Sequence, residues 1–494
     1  LRNIADSLSG TIIRGFDDFD HLTSENTAQG TISYQYDAGG RRIGMTVAGQ
    51  PATSYGYDEA DRITQVTTAT SPLLFGYDAA NRRTSLTLPG GVAISYRYDP
   101  ASQITDLEYE NASGLIGNLQ YSYDQVGHVA QLAGSYAATG LPTATTSAIY
   151  DAANRLSNWN GRQRSFDVNG NLSSDGNNSY TWNARNQLAS ISGAMGTASF
   201  QYDAFGRRTN KYVNGIATSY LYDNFNIVQE LSGSTATANL VSGGIDELFT
   251  RKDTGIWSVL PDALGSTLAL ADAGGTPATR YTYEPFGAVT VSGPTNTNSY
   301  QYAGRENDGN GLYYYRARYY ESGTGRFLSE DPLQYGGGLN FYAYALNNPI
   351  SFTDPFGLDV NICLYPHAAN NLGHVGFGIV GTDPYTYGFY PLYNSDARWY
   401  RQQNRMHGPG RVKPDISEGE QTCIRVPTTP NQDRCMLRCR WRRYDNPGTY
   451  DLMSRQCTSF VRDCMHECGL RAGEYNGPYP TDFYRSVTNA NSGH

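Results

Sequence analysis

Residues 34–42 read YQYDAGGRR, 55–62 read YGYDEADR, 75–83 read FGYDAANRR and 96–102 read YRYDPAS. From Asp37 through Asp58 and Asp78 to Asp99 the acidic position recurs after about 20 residues, the period of a stacked repeat. Side chains alternate across a strand with period two, so Tyr-x-Tyr sets two aromatics on one face. The Asp behind them, followed by small residues, Gly or Asn, suits a turn, because an Asx side chain accepts from nearby backbone N–H groups. Each repeat therefore predicts one hairpin. A lone hairpin is marginal in water, so the units are expected to stack laterally into a continuous sheet.

Working outward, related copies stand at 121–127 (YSYDQVG), 150–155 (YDAANR), 166–171 (FDVNGN), 180–187 (YTWNARNQ), 202–208 (YDAFGRR) and 222–226 (YDNFN). The 40 Tyr and 54 Gly of the chain favour strands and tight turns, so the bulk is expected to be β. A length of 494 residues predicts two or three domains. No apolar run is long enough to span a bilayer, and Leu1–Gly10 lacks the charged and apolar parts of a secretory signal. The sequence enters at Leu in mid-pattern, which predicts an upstream portion carrying any delivery signal.

Charge and cysteine content both change near residue 358. Residues 1–358 hold 22 Lys and Arg against 33 Asp and Glu, whereas 359–494 hold 15 against 13. All seven cysteines lie after Leu358. The tail is thus expected to be a separate module with its own redox chemistry.

The repeats resemble the YD repeats of Rhs and teneurin-type proteins over about residues 30–330. That resemblance implies a β-sheet shell, the Rhs cocoon, enclosing a cargo polypeptide. The stretch from Tyr302, YAGRENDGNGLYYYRARYYESGTGRFLSEDPLQYGGGLNFYAYALNNPISFTDPFGL, is very similar to the terminator of the Rhs core. The family carries two Asp-Pro-x-Gly elements and cleaves itself after the residue that follows the second Gly. Here the elements are Asp331-Pro332-Leu333-Gln334 and Asp354-Pro355-Phe356-Gly357, and the implied scissile bond is Leu358–Asp359. Asp331 and Asp354 would supply an acid–base pair, since two carboxylates sharing a site do not both ionise easily. Gln334 departs from the family's Gly, which puts the rate of cleavage in doubt. The expected organisation is a shell over 1–300, the terminator over 301–358 and a toxin domain over 359–494.

Function of the tail must come from its own residues. NLGHVGFGIVG at 371–381 and TYGFYPLY at 386–393 predict a hairpin with His374 near a strand start. YDLMSRQCTSFVRDCMHECGL at 450–470 predicts an amphipathic helix with Cys457 in its first turn, where the helix N-terminus favours the thiolate. A His on a strand followed by a Cys on a helix resembles the permuted papain-like hydrolases, the group of lecithin–retinol acyltransferase-like enzymes and relatives of NlpC peptidases. The resemblance implies a small α+β domain with Cys457 as nucleophile and His374 as base. His407, Asn394 and Asp383 are candidates for the group that orients the imidazole, and the backbone N–H of Cys457 is a natural oxyanion donor.

Cys435 and Cys439 are spaced i,i+4, as are Cys464 and Cys468. Two antiparallel helices could join them as 435–468 and 439–464, with Cys363 and Cys423 as a third bridge and Cys457 left as the odd thiol. A zinc site made from the four helical cysteines is the rival reading. The basic run Arg438–Arg443 around Trp441 admits a nuclease, the second hypothesis for the tail, and a non-catalytic interaction domain is the third. The hydrolase reading requires no cofactor and no metal, and nucleic acid is not the favoured target. The Rhs resemblance further implies a secreted toxin delivered into target cells, an immunity protein, and a secretion apparatus of the type VI kind engaged through the upstream region.

Overall fold

The computed structural model describes residues 2–68, 72–125, 127–332 and 340–357, together with the backbone of six strands in the tail, Val360–Tyr365, His374–Ile379, Tyr387–Pro391, His407–Pro414, Thr422–Val426 and Thr449–Asp451. The chain forms two compact units, Leu1–Ser329 and Glu330–His494. Among the described residues the regular elements are strands and short 3-10 turns, so the mainly β expectation holds.

The repeat's Asp organises its hairpin. Asp37 Oδ1 accepts the N–H groups of Gly39 and Arg41, both at 2.9 Å, and Oδ2 takes Arg41 Nε at 2.7 Å. Its own carbonyl accepts the Gly40 N–H, and its N–H donates to the Arg41 carbonyl. Those contacts, the Arg41 N–H foremost and then its guanidinium, hold the Asp37 carboxyl below the usual 3.8. Asp58, Asp78 and Asp203 repeat the pattern. The fourth turn residue takes a left-handed φ, 77° at Gly40, 59° at Asp61, 64° at Asn81 and 64° at Ser102, which explains why Gly, Asn and Asp predominate there, with Ser102 the exception among these four copies. The result is a type I turn with a bulge, and the register shifts just before it at Gln35/Tyr36, Gly56/Tyr57 and Gly76/Tyr77.

Neighbouring repeats are joined by the second aromatic of each motif. Tyr57 Oη donates to the Arg42 carbonyl, Tyr77 to Ile63, Tyr98 to Arg83, Tyr202 to Leu188 and Tyr222 to Arg208, at 2.7 or 2.8 Å. The turn arginines reach forward in the same direction, with Arg41 over Tyr57, Arg62 over Tyr77 and Arg82 over Tyr98 at 5.1, 4.9 and 4.8 Å from the ring centroids. Asp, Arg and Tyr thus form a chain of contacts running from one repeat to the next.

The hairpins build two long meanders rather than one continuous sheet. Thirteen strands run from Asn3–Asp6 to Val129–Ala133 and fourteen from Ser165–Phe166 to Val289–Ser292, each beside its sequence neighbours, with a three-stranded sheet over Ala148–Gln163 between them. The break follows Ala133, where the chain leaves the first meander to dock on the second. Gly140 N–H donates to the Tyr283 carbonyl, and Thr139 makes a parallel bridge to Tyr283. Side chains from both meanders share a core, in which Leu73, Phe75, Leu86 and Leu107 lie with Phe249, Leu260 and Ala269. Opposite charges also tie them, through Arg42–Asp223 at 2.6 Å and Arg207–Glu25 at 2.9 Å.

The Tyr-rich segment after residue 305 forms a four-stranded sheet, Glu306–Asn307, Leu312–Tyr315, Arg318–Glu321 and Arg326–Phe327, within the first unit. Tyr314, Tyr319 and Leu312 pack with Tyr180, Phe200 and Tyr202 of the second meander. At their centre Arg208 is fully buried. It donates to Asp308 at 2.5 Å, Glu306 at 2.6 Å and the Tyr319 hydroxyl at 3.0 Å, while Lys211 reaches Asp308 at 3.0 Å. Burial acts against the Asp308 carboxylate, yet Arg208 and Lys211 hold it below its usual range. Arg208→Met would take the guanidinium from two buried carboxylates and leave Asp308 with Lys211 alone, a loss of about 3–5 kcal/mol. Urea unfolding followed by tyrosine and tryptophan emission should show that loss at pH 7. The gap should narrow as pH falls below 3.8 and Asp308 becomes protonated, because a depressed carboxyl stabilises only above its folded pKa. A gap unchanged across that range would contradict the assignment.

Candidate functional site

The residues around the expected self-cleavage junction belong to the second unit. Asp331 and Asp354 are 2% and 1% exposed. Asp331 N–H donates to the Phe341 carbonyl at 2.9 Å, and Tyr342 Oη donates to the preceding Glu330 carboxylate at 3.3 Å, which ties the first element to the 340–344 segment. Tyr342 and Tyr344 are buried there. Leaving water costs a carboxyl group free energy, so two Asp side chains in such positions need local partners.

Asp354 opens a tight turn. Its carbonyl accepts the Gly357 N–H at 3.1 Å, Pro355 takes the second position that suits its fixed φ, and Gly357 has a φ of 69°. Thr353 through Gly357 are all buried. The backbone leading to Leu358 is therefore sharply bent and shielded from solvent. Thr353 Oγ1, beside Asp354 in the chain, is buried without a hydrogen-bond partner.

Between the two Asp elements lies a feature the sequence reading missed. Ala345, Leu346 and Asn347 take φ values of 46°, 53° and 59°, closed by Asn347 N–H to the Tyr344 carbonyl and Asn348 N–H to the Ala345 carbonyl. Left-handed backbone at Ala and Leu costs about 1–2 kcal/mol per residue. Strain of this kind persists only where surrounding structure fixes it, and it concentrates at functional sites. The Asn347-Asn348-Pro349 run is a turn signal, but nothing in it announces three consecutive left-handed residues.

Gln334, Leu358 and Asp359 lie outside the described residues, as do Asp383, Asn394, the Arg438–Arg443 run, Cys435, Cys439, Cys457, Cys464 and Cys468. In the tail the six strands form one sheet in the order Thr422–Val426, Val360–Tyr365, His374–Ile379, Tyr387–Pro391, His407–Pro414, Thr449–Asp451. The expected hairpin is present, with Phe377 opposite Tyr387 and His374 at the first position of its strand, opposite Tyr365. His407 also opens its strand, opposite Asp451. Following the pairs Phe377–Tyr387, Pro391–Gly410 and His407–Asp451 across the sheet, His374, His407 and Asp451 fall on one face. The Tyr387–Pro391 strand stands between the two His strands. Asp451 was not singled out from the sequence, because only the strand register sets it against His407.

The fold agrees with the comparisons. The teneurin YD-shell family model matches residues 92–350, and the RHS Repeat model matches residues 16–52. The tRNA3(Ser)-specific nuclease WapA of Bacillus spizizenii is 35% identical over 228 residues, 43% of this chain and 10% of that protein. Toxin protein Tse5 of Pseudomonas aeruginosa is 41% identical over 98 residues, 20% of this chain and 7% of that protein. The matched stretches thus span a tenth or less of these relatives. A crystal structure of TcdB2-TccC3-TEV has a TM-score of 0.57 at 18% identity, covering 72% of this chain and 24% of that one, and so shares the fold. Tandem hairpins linked through the Tyr of each Tyr-Asp turn, together with a family match over more than half the residues, lead to one conclusion: the chain belongs to the teneurin YD-shell family.

Proposed function

We propose that this chain is the C-terminal part of a polymorphic toxin, in which a YD shell over 1–300 and a terminator over 301–358 carry and release an effector domain, 359–494. Asp331 and Asp354 act as general acid and base in hydrolysis of the Leu358–Asp359 bond. The observation that carries the junction assignment is the burial of both carboxyl groups within one compact unit, one of them opening a bent, solvent-shielded turn that runs directly to Leu358. Mass spectrometry of the purified chain tests the cut and its position.

The effector's chemistry is Cys–His acyl transfer on an amide or ester, with Cys457 as nucleophile, His374 as base and His407 as the orienting group. The sheet that sets His374, His407 and Asp451 on one face supports this reading. A nuclease is the second reading, favoured by the name of the Bacillus spizizenii relative and by the basic run around Trp441. The toxin would be secreted and delivered into target cells, with an immunity protein that blocks the effector and a type VI apparatus that exports it. Among the described residues no helix is long and apolar enough to cross a membrane.

A further inference from the structure

We propose that Cys363 and Cys423 form a disulfide that fastens the edge strand of the tail sheet, Thr422–Val426, to the strand Val360–Tyr365. The two residues are direct register partners within an unbroken series of five pairs from Val360–Val426 to Leu364–Thr422. Residues directly opposite in an antiparallel pair have Cα atoms about 4.5 or 5.5 Å apart, and both spacings suit a disulfide. Ile362 opposite Ile424 and Leu364 opposite Thr422 fix that register on either side, so a slip of one residue would separate the cysteines. The rest of the chain makes the coincidence informative: residues 1–358 contain no cysteine at all.

The bond has a mechanical consequence. Among the described strands Thr422–Val426 is first in the sheet order and pairs with Val360–Tyr365 alone. That partner begins one residue after Asp359. If the chain is cut after Leu358, it becomes a terminal strand, and terminal strands fray unless tied down. A bond between them closes a loop of about 60 residues, which restricts the unfolded chain strongly. The pairing itself does not depend on where, or whether, the chain is cut.

The chemistry is thiol–disulfide exchange with a disulfide donor of the glutathione type. One cysteine thiolate attacks the donor, forming a mixed disulfide and releasing one donor thiol. The second thiolate displaces the other donor thiol, so two electrons pass to the donor and the two cysteine protons are transferred to solvent or to the released thiols. In a reducing cytoplasm the pair stays as thiols, and it closes where the surroundings are oxidising.

The test uses the full chain equilibrated with oxidised glutathione, blocked with an alkylating agent and digested without reduction. Mass spectrometry should find peptides linked through Cys363 and Cys423. Alkylation of both residues, or linkage of either one to another cysteine, overturns the proposal. A second measurement compares subtilisin digestion of the tail in the parent and in a Cys363→Val, Cys423→Val double variant, which keeps an apolar pair at the same register. Under oxidising conditions the variant's tail should be digested about 10-fold faster, and reduction of both proteins should close that gap. Equal rates when oxidised, or a gap that survives reduction, would remove the fastening role.

Discussion

A full-length chain carrying Asp354→Asn or Asp331→Asn stays intact at 494 residues, while the parent yields a 136-residue fragment beginning at Asp359. The carboxamide has nearly the shape of the carboxyl group, so the turn from Asp354 to Gly357, held by backbone groups, survives the change. What it removes is the ability to take or give a proton. Because Asp331 and Asp354 are both shielded from solvent, no bulk base can stand in for either. Groups that act as a unit lose nearly everything when one is removed, so each variant should slow the cut by about 10,000-fold, with the double variant little worse than either single one. Intact mass over time measures this, and limited proteolysis of the 340–357 region reports whether the fold is retained. Processing at the parental rate in both variants would exclude the pair.

The hairpins were legible because everything that makes them is local. Asp37 hydrogen-bonds to Gly39, Gly40 and Arg41, and the left-handed position is written as Gly, Asn or Asp in most copies, with Ser102 in the Asp99 copy. The joint between repeats was half legible. Tyr57 and its counterparts were expected only to share a strand face with the preceding aromatic, and the donation of each hydroxyl to a carbonyl near the previous turn depends on how hairpins align, which spacing alone does not specify. The division into two meanders could not be read, since it rests on Gly140 meeting Tyr283, a contact between residues far apart in the chain. At the junction the two Asp residues were found through motif resemblance, whereas the left-handed turn at Ala345–Asn347 runs against the preferences of Ala and Leu. In the tail, Cys363 and Cys423 were paired by elimination and His407 was one of three orienting candidates. Strand register then set the two cysteines opposite one another and His407 opposite Asp451.

Toxicity should vanish with Cys457→Ala and with His374→Ala in cells lacking immunity. In acyl transfer the thiolate attacks the carbonyl carbon and the imidazole passes a proton to the leaving group, so the two residues act together and the double variant should be no worse than either single one. Ala at His407 or Asp451 should cost less, about 100-fold, if that cross-strand pair orients the site rather than reacting. Junction cleavage should stay at the parental rate in all four variants, because the Asp chemistry needs none of these side chains. That independence separates the two activities: a variant that is still cut but no longer kills has lost only the effector. Expressing 359–494 with the parental residues in the cytoplasm and in the periplasm, beside each variant, shows which compartment holds the target. A Cys457→Ala protein that kills where the parent kills excludes the thiol mechanism. RNA and DNA integrity in the dying cells then becomes the measurement that matters, with Arg438–Arg443 and Trp441 as the residues to replace.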